Sequence, residues 1–144
     1  MISRNLIFLP LLTEMLLTLY AFALLSVRKS RARKAGLVNL DRVSLHDDAW
    51  PEDVQKVSNN IRNQFQLPIL FGLLMLVLWA MQETSVFVQA LAWTFVASRV
   101  LHFFVHTGSN YVPVRRRIFT FGFLIVLVLL GISFWTILRG PGSL

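Results

Sequence analysis

Four apolar runs, each close to the roughly 20 residues a helix needs to cross hydrocarbon, follow one another along this chain of 144 residues. Residues 6–27 are apolar apart from Glu14, Tyr20 and a few small hydroxyls, and the run is too long for the core of a secretory signal. Residues 86–107 and 118–138 form two more, and the remaining span, about 61–81, is built on a shorter apolar run at 67–81. The helical pattern of the second begins earlier, at Pro51, with Glu52 and Asp53 placing negative charge at the positive end of the helix dipole. A single helix from Pro51 to Met81 would be about 46 Å long, so its first turns should project from the bilayer.

The pattern predicts an all-α integral membrane protein, a single domain built as a bundle of four transmembrane helices. Composition agrees, with 56% of residues drawn from the hydrophobic set, 15% charged, and a mean hydropathy of +0.64. There is no cysteine, hence no disulfide and no thiol nucleophile in the chain itself. The net charge of +7 does not point to nucleic acid, because the basic residues flank apolar segments and lack interleaved aromatics. Eight of the 14 Lys and Arg lie between Arg28 and Arg62, and three form the run Arg115, Arg116, Arg117. The turn 82–85 carries none. The positive-inside rule then places loops 28–50 and 108–117 in the cytoplasm and both termini outside. Basic clusters of this kind attract anionic membrane lipid.

The informative residues are the ones lipid would not tolerate. Arg99, His102 and His106 are spaced i, i+3 and i+7 in the third span and so share one helical face. An arginine at mid-span costs about 2.5–3.5 kcal/mol on insertion scales, so this face should turn inward. In the second span Asn59, Asn63 and Gln66 make a matching stripe, with Arg62 and Gln55 near its start. With Glu14 of the first span, these groups offer enough donors and acceptors to satisfy Arg99. The bland reading is hydrogen-bond glue between helices, about 0.6–2 kcal/mol per contact. The functional reading is a polar pocket ringed by Arg28, Arg62, Arg115, Arg116 and Arg117, whose guanidinium forks suit carboxylates and phosphates. His102 and His106 have the spacing of a metal pair, but no H-E-x-x-H surrounds them and no metal is expected. Ser98 has no accompanying oxyanion motif, which leaves serine hydrolysis unsupported.

Two of these segments carry a resemblance. The run Asn59-Asn60-Ile61-Arg62-Asn63-Gln64-Phe65-Gln66-Leu67-Pro68-Ile69-Leu70-Phe71, followed by Arg99-Val100-Leu101-His102 through His106 to Arg115, resembles the MAPEG family, the membrane-associated proteins of eicosanoid and glutathione metabolism. The chain would be a divergent, prokaryotic-type member in a bacterial inner membrane. The resemblance implies a homotrimer of four-helix bundles, with glutathione held in a cytoplasm-facing cleft between protomers. It implies a transferase or peroxidase acting on lipophilic electrophiles or lipid hydroperoxides.

Carried over by position, Arg115 and Arg28 are the candidates for stabilising the glutathione thiolate. Asn59, Arg62, Asn63, Gln66, Arg99, His102 and His106 are the candidates for binding. Lowering a thiol pKa of about 8.5 by two units takes about 2.7 kcal/mol, within reach of one guanidinium in a partly dry site. The lipophilic substrate would arrive from the bilayer past Phe103 and Phe104, with His102 or His106 as proton donor. Three residues depart from the family pattern. Gln66 stands where Glu is usual, which would weaken the hold on an amino group by about 1–2 kcal/mol. Asn59 stands where one branch has Arg, and His106 where Tyr is common. An alternative reading is a catalytically silent relative that binds a lipid or a small anionic metabolite. A small transporter using Glu14, Arg99 and the histidines as a relay ranks below both, since no broken or repeated half is visible.

Overall fold

A computed structural model describes residues 4–140, and every regular element among them is helical. A 3-10 turn at Arg4–Ile7 leads into α1, Phe8–Lys34. A second 3-10 turn at Asp47–Ala49 precedes α2, Glu52–Gln64, and then follow α3, Leu67–Ala80, α4, Val86–Thr107, and α5, Val112–Arg139. Taken with α2 and α3 as one unit, four helical segments are long and apolar enough to cross a membrane. The chain is thus an integral, multi-pass membrane bundle.

Local chemistry explains where the helices stop. At the end of α1, Gly36 adopts φ +67, and its N–H and that of Leu37 bond to the carbonyls of Arg33 and Ala32. This is a Schellman closure, and a residue with a Cβ would be strained at that φ. Arg31, Arg33 and Lys34 lie in the last turn of α1, where the dipole favours positive charge. Ser85 caps α4 by accepting the Val88 N–H at 3.4 Å. Pro113 occupies the first turn of α5, where its missing N–H costs nothing.

The single helix expected from Pro51 to Met81 is in fact two. Pro68 has no N–H to return to the Gln64 carbonyl, and its ring crowds that carbonyl, so α2 ends at Gln64 and the chain kinks through Phe65 and Gln66. Gln66 has φ −109 and ψ −101, outside the helical region. The fourth helix also begins earlier than the apolar run that announced it, so that Arg115, Arg116 and Arg117 are helical rather than part of a loop.

Packing divides the bundle by polarity. The turn between α3 and α4 lies at one end, and there Ile7, Met75, Leu78, Val88, Phe95 and Leu129 form the main apolar core. Phe71 and Phe95 stack inside it with centroids 4.2 Å apart. A smaller cluster of Ala21, Val57, Ile61 and Phe103 holds α1, α2 and α4 together toward the opposite, basic end. At that end Trp50 is buried against Ala32 and Val54, with the Lys29 ammonium 4.6 Å and the Arg33 guanidinium 5.2 Å from its ring. The loop before α2 is tied down by ion pairs from Arg42 to Asp48 and from Arg62 to Asp47.

Candidate functional site

The inward face of α2 is set by Val54, Val57, Ile61 and Gln64, all buried at a three-and-four spacing. That rotation splits the stripe expected from the sequence. Asn60 and Gln64 turn into the bundle, Asn63 sits at the edge, and Asn59, Arg62 and Gln66 are exposed. Asn60 and Gln64 were not singled out by the sequence, although the 54-57-61-64 pattern of the same helix places them inside. On α4 the expectation and the structure agree, since Arg99, His102 and His106 are all buried on one face.

The two helices meet at His106. Its Nδ1 lies 3.3 Å from Asn63 Nδ2 and 3.4 Å from Asn60 Nδ2. An amide nitrogen only donates, so Nδ1 is the acceptor and the ring proton belongs on Nε2. One turn back, the His102 ring sits edge-on to His106 with centroids 5.3 Å apart. Gln64 donates to Asn60 Oδ1 at 3.4 Å, which extends this polar seam along α2.

Arg99 lies deeper and is 1% exposed. The sequence offered Glu14 among its partners, and the structure pairs the two but without a hydrogen bond. Its closest acidic partner is Glu14, with Oε1 4.0 Å from Nε, beyond hydrogen-bonding distance. All three guanidinium nitrogens, both Glu14 oxygens, Gln64 Oε1 and His102 Nδ1 are buried without a hydrogen-bond partner among the described residues. Phe119 covers the guanidinium at 5.8 Å. Each buried polar atom left unpaired costs about 1–3 kcal/mol, and more when charged, against a whole-domain stability of about 5–15 kcal/mol.

The remaining arginines divide by what they touch. Arg28, at the basic end of α1, donates from Nη1 to the Asp53 carbonyl at 2.7 Å, and both Nη atoms lie 3.2 Å from the Thr107 carbonyl. Its fork therefore clamps the start of α2 to the last carbonyl of α4. Arg115 is half-buried and donates to Asn110 Oδ1 at 2.5 Å, with Asn110 in the left-handed region at φ +53. Arg116 and Arg117 are exposed. Arg62 is exposed as well, and its guanidinium reaches Asp47 and Asn59. Phe103 is buried against Tyr20, whereas Phe104 faces outward, so of these two Phe104 is the one on the outer surface of α4.

A cleft of about 790 Å3 lies at the opposite end of the bundle, between the turn Met81–Ser85 and the end of α5 around Trp135 and Arg139. None of the candidate residues lines it. The polar groups of α2 and α4 instead meet at the basic end, and Asn59, Arg62 and Gln66 are exposed on the same helix region. Among the described residues no third His, Asp or Glu joins His102 and His106 in a metal-binding group.

A family model described as MAPEG family matches residues 7–135. No curated protein and no solved structure matches the chain.

Proposed function

The chain belongs to the MAPEG family, and from that premise we propose that it is a glutathione-dependent membrane transferase or peroxidase, acting on lipophilic electrophiles or lipid hydroperoxides. The observation that carries the reading is the meeting of α2 and α4 at Asn63 and His106, beside the arginine-rich start of α5. Guanidinium groups suit the carboxylates of an anionic peptide, and neutral amide and imidazole groups suit its backbone. The donor set present thus fits glutathione.

Glutathione would supply the thiol, as nucleophile or as reductant. Arg115 is the residue we assign to the thiolate, because its guanidinium is half-buried and, among the described residues, bonds only the neutral Asn110. In such a place a fixed positive charge is screened less than on an open surface. Arg28 is already committed to two backbone carbonyls, so its part is to hold the ends of α2 and α4 in register. Asn63 and His106 would orient the peptide, and Phe104 would border the approach from lipid.

The exposed polar strip Asn59, Arg62 and Gln66 supports a homotrimer. Gln66 adjoins the apolar start of α3, where lipid contact would be unfavourable and a neighbouring protomer would not. The cleft is then completed between subunits. With the basic loops read as cytoplasmic, it opens toward the cytosol of a bacterial inner membrane, and both termini lie outside.

Gln66 also favours a second reading, that of a silent relative which keeps the bundle and binds a lipid or small anionic metabolite. Isothermal titration of the full chain in nanodiscs with glutathione separates the two. The enzyme reading expects saturable heat with the natural sequence, loss of about tenfold to a hundredfold in affinity for Arg115→Ala, and thiolate ultraviolet absorbance near neutral pH. No heat with the natural sequence and clear binding by Gln66→Glu would instead establish the silent relative.

A further inference from the structure

The seven unpartnered atoms deep in the bundle belong to four residues on three helices. Glu14 on α1, Gln64 on α2, and Arg99 and His102 on α4 are each at most 3% exposed. Their free atoms are of both kinds: the Glu14 oxygens and Gln64 Oε1 only accept, while the three nitrogens of Arg99 only donate. Donors and acceptors are therefore present together, but the one charged pair stands at 4.0 Å. That spacing is too long for a direct bond and suits groups bridged by a single shared molecule.

The charges also fix what that molecule can be. Glu14 and Arg99 have opposite formal charges, so together these groups offer no net charge with which to attract an anion or a cation. Polar, two-sided and neutral is the description of a water site. The apolar core closes one end: Ile7 precedes Glu14 by two turns on α1, Phe95 precedes Arg99 by one turn on α4, and both are fully buried. Toward the basic end the residue next to His102 is His106, whose ring faces the Asn60 and Asn63 amides.

We propose that Glu14, Gln64, Arg99 and His102 enclose a bound water cluster, which bridges the Glu14 carboxylate to the Arg99 guanidinium and supplies the hydrogen bond to His102 Nδ1. About three or four waters, at about three hydrogen bonds each, would satisfy these groups. The cluster makes Glu14 a positioning residue: it holds Arg99, and through the shared waters it holds His102 beside His106. The apolar core leaves the cluster one-ended, so it is not a path across the membrane.

The test is brief hydroxyl-radical labelling by synchrotron irradiation of the full chain in nanodiscs, with water itself as the probe. Radicals form where water is, so buried side chains beside trapped water are modified and dry ones are not. The expected result is labelling of His102 while Met75, equally buried but more reactive toward radicals, stays unmodified. An unlabelled His102 overturns the proposal, whether the chamber is dry or the ion pair closes directly. In the double variant Glu14→Leu with Arg99→Leu, labelling of His102 should be lost, and persistence of the label would place the water elsewhere. Thermal unfolding tests the bridge independently. Glu14→Gln and Arg99→Gln should each lower Tm by about 4 °C or more, with most of the loss recovered when the two are combined. Additive losses would mean that the two side chains do not share a bridge.

Discussion

Asn63 Nδ2 and His106 Nδ1 lie 3.3 Å apart, and through that contact the polar edges of α2 and α4 become one surface. Asn60 reaches the same nitrogen from within the bundle at 3.4 Å. Two donors on one acceptor hold the imidazole in a single tautomer, with Nε2–H directed away from α2.

Asn63→Ala removes the outer of these donors. With Asn60 still in place the bundle should keep its Tm to within about 4 °C, because one shared hydrogen bond contributes at most about 1 kcal/mol. Glutathione affinity should fall about tenfold if Asn63 also faces the ligand. Titration of the variant measures this, and unchanged affinity would remove Asn63 from the binding surface.

Arg28 should behave as a structural clamp. Arg28→Lys keeps the charge but cannot reach the Asp53 and Thr107 carbonyls with a fork, and a loss of about 1–3 kcal/mol is expected. Thermal unfolding in detergent should show the lower Tm, and hydrogen exchange should show faster opening at the last turn of α4. If activity fell while both stayed at wild-type values, Arg28 would belong to the chemistry instead.

The interface of α4 with α5 depends on one small residue. A Cβ on Gly122 would stand 3.0 Å from Ser98 Oγ and 3.7 Å from the Phe95 ring, so Gly122→Val must push the helices apart. A loss of about 1–3 kcal/mol is expected. Gly131, on the same helix, has nothing within 4 Å of its Cβ position, and Gly131→Ala should raise stability by about 0.5–1 kcal/mol. Equal Tm values for the two variants would contradict this account of the interface.

Much of this arrangement can be read from the chain because the solvent is so demanding. Hydropathy marks the membrane-crossing segments, and the spacing of Arg99, His102 and His106 names the buried face of α4, since lipid excludes those side chains from any other. The face of α2 is harder to read. Near the membrane edge polar residues are tolerated on all sides, so Asn59, Asn63 and Gln66 look like a stripe while packing of Val54, Val57 and Ile61 brings Asn60 and Gln64 inward instead. The clamp made by Arg28 has no local signal at all, because its partners are backbone carbonyls 25 and 79 residues away.

The kink at Phe65 and Gln66 follows from Pro68 and should yield to a single change. Pro68→Ala restores an N–H that can bond the Gln64 carbonyl and removes the ring that crowds it. The two helices α2 and α3 should then join, and the amides at 67 and 68, which make no backbone bond in the natural chain while those of Phe65, Gln66 and Ile69 do, should become protected from hydrogen exchange. Joining them turns Gln66 about the helix axis while leaving Asn60 and Gln64 anchored in the bundle. If Gln66 lies on the ligand surface, glutathione affinity will change in this variant although no ligand-facing side chain has been altered. Fast exchange at both the 67 and 68 amides in the variant would show that Pro68 is not what holds the kink.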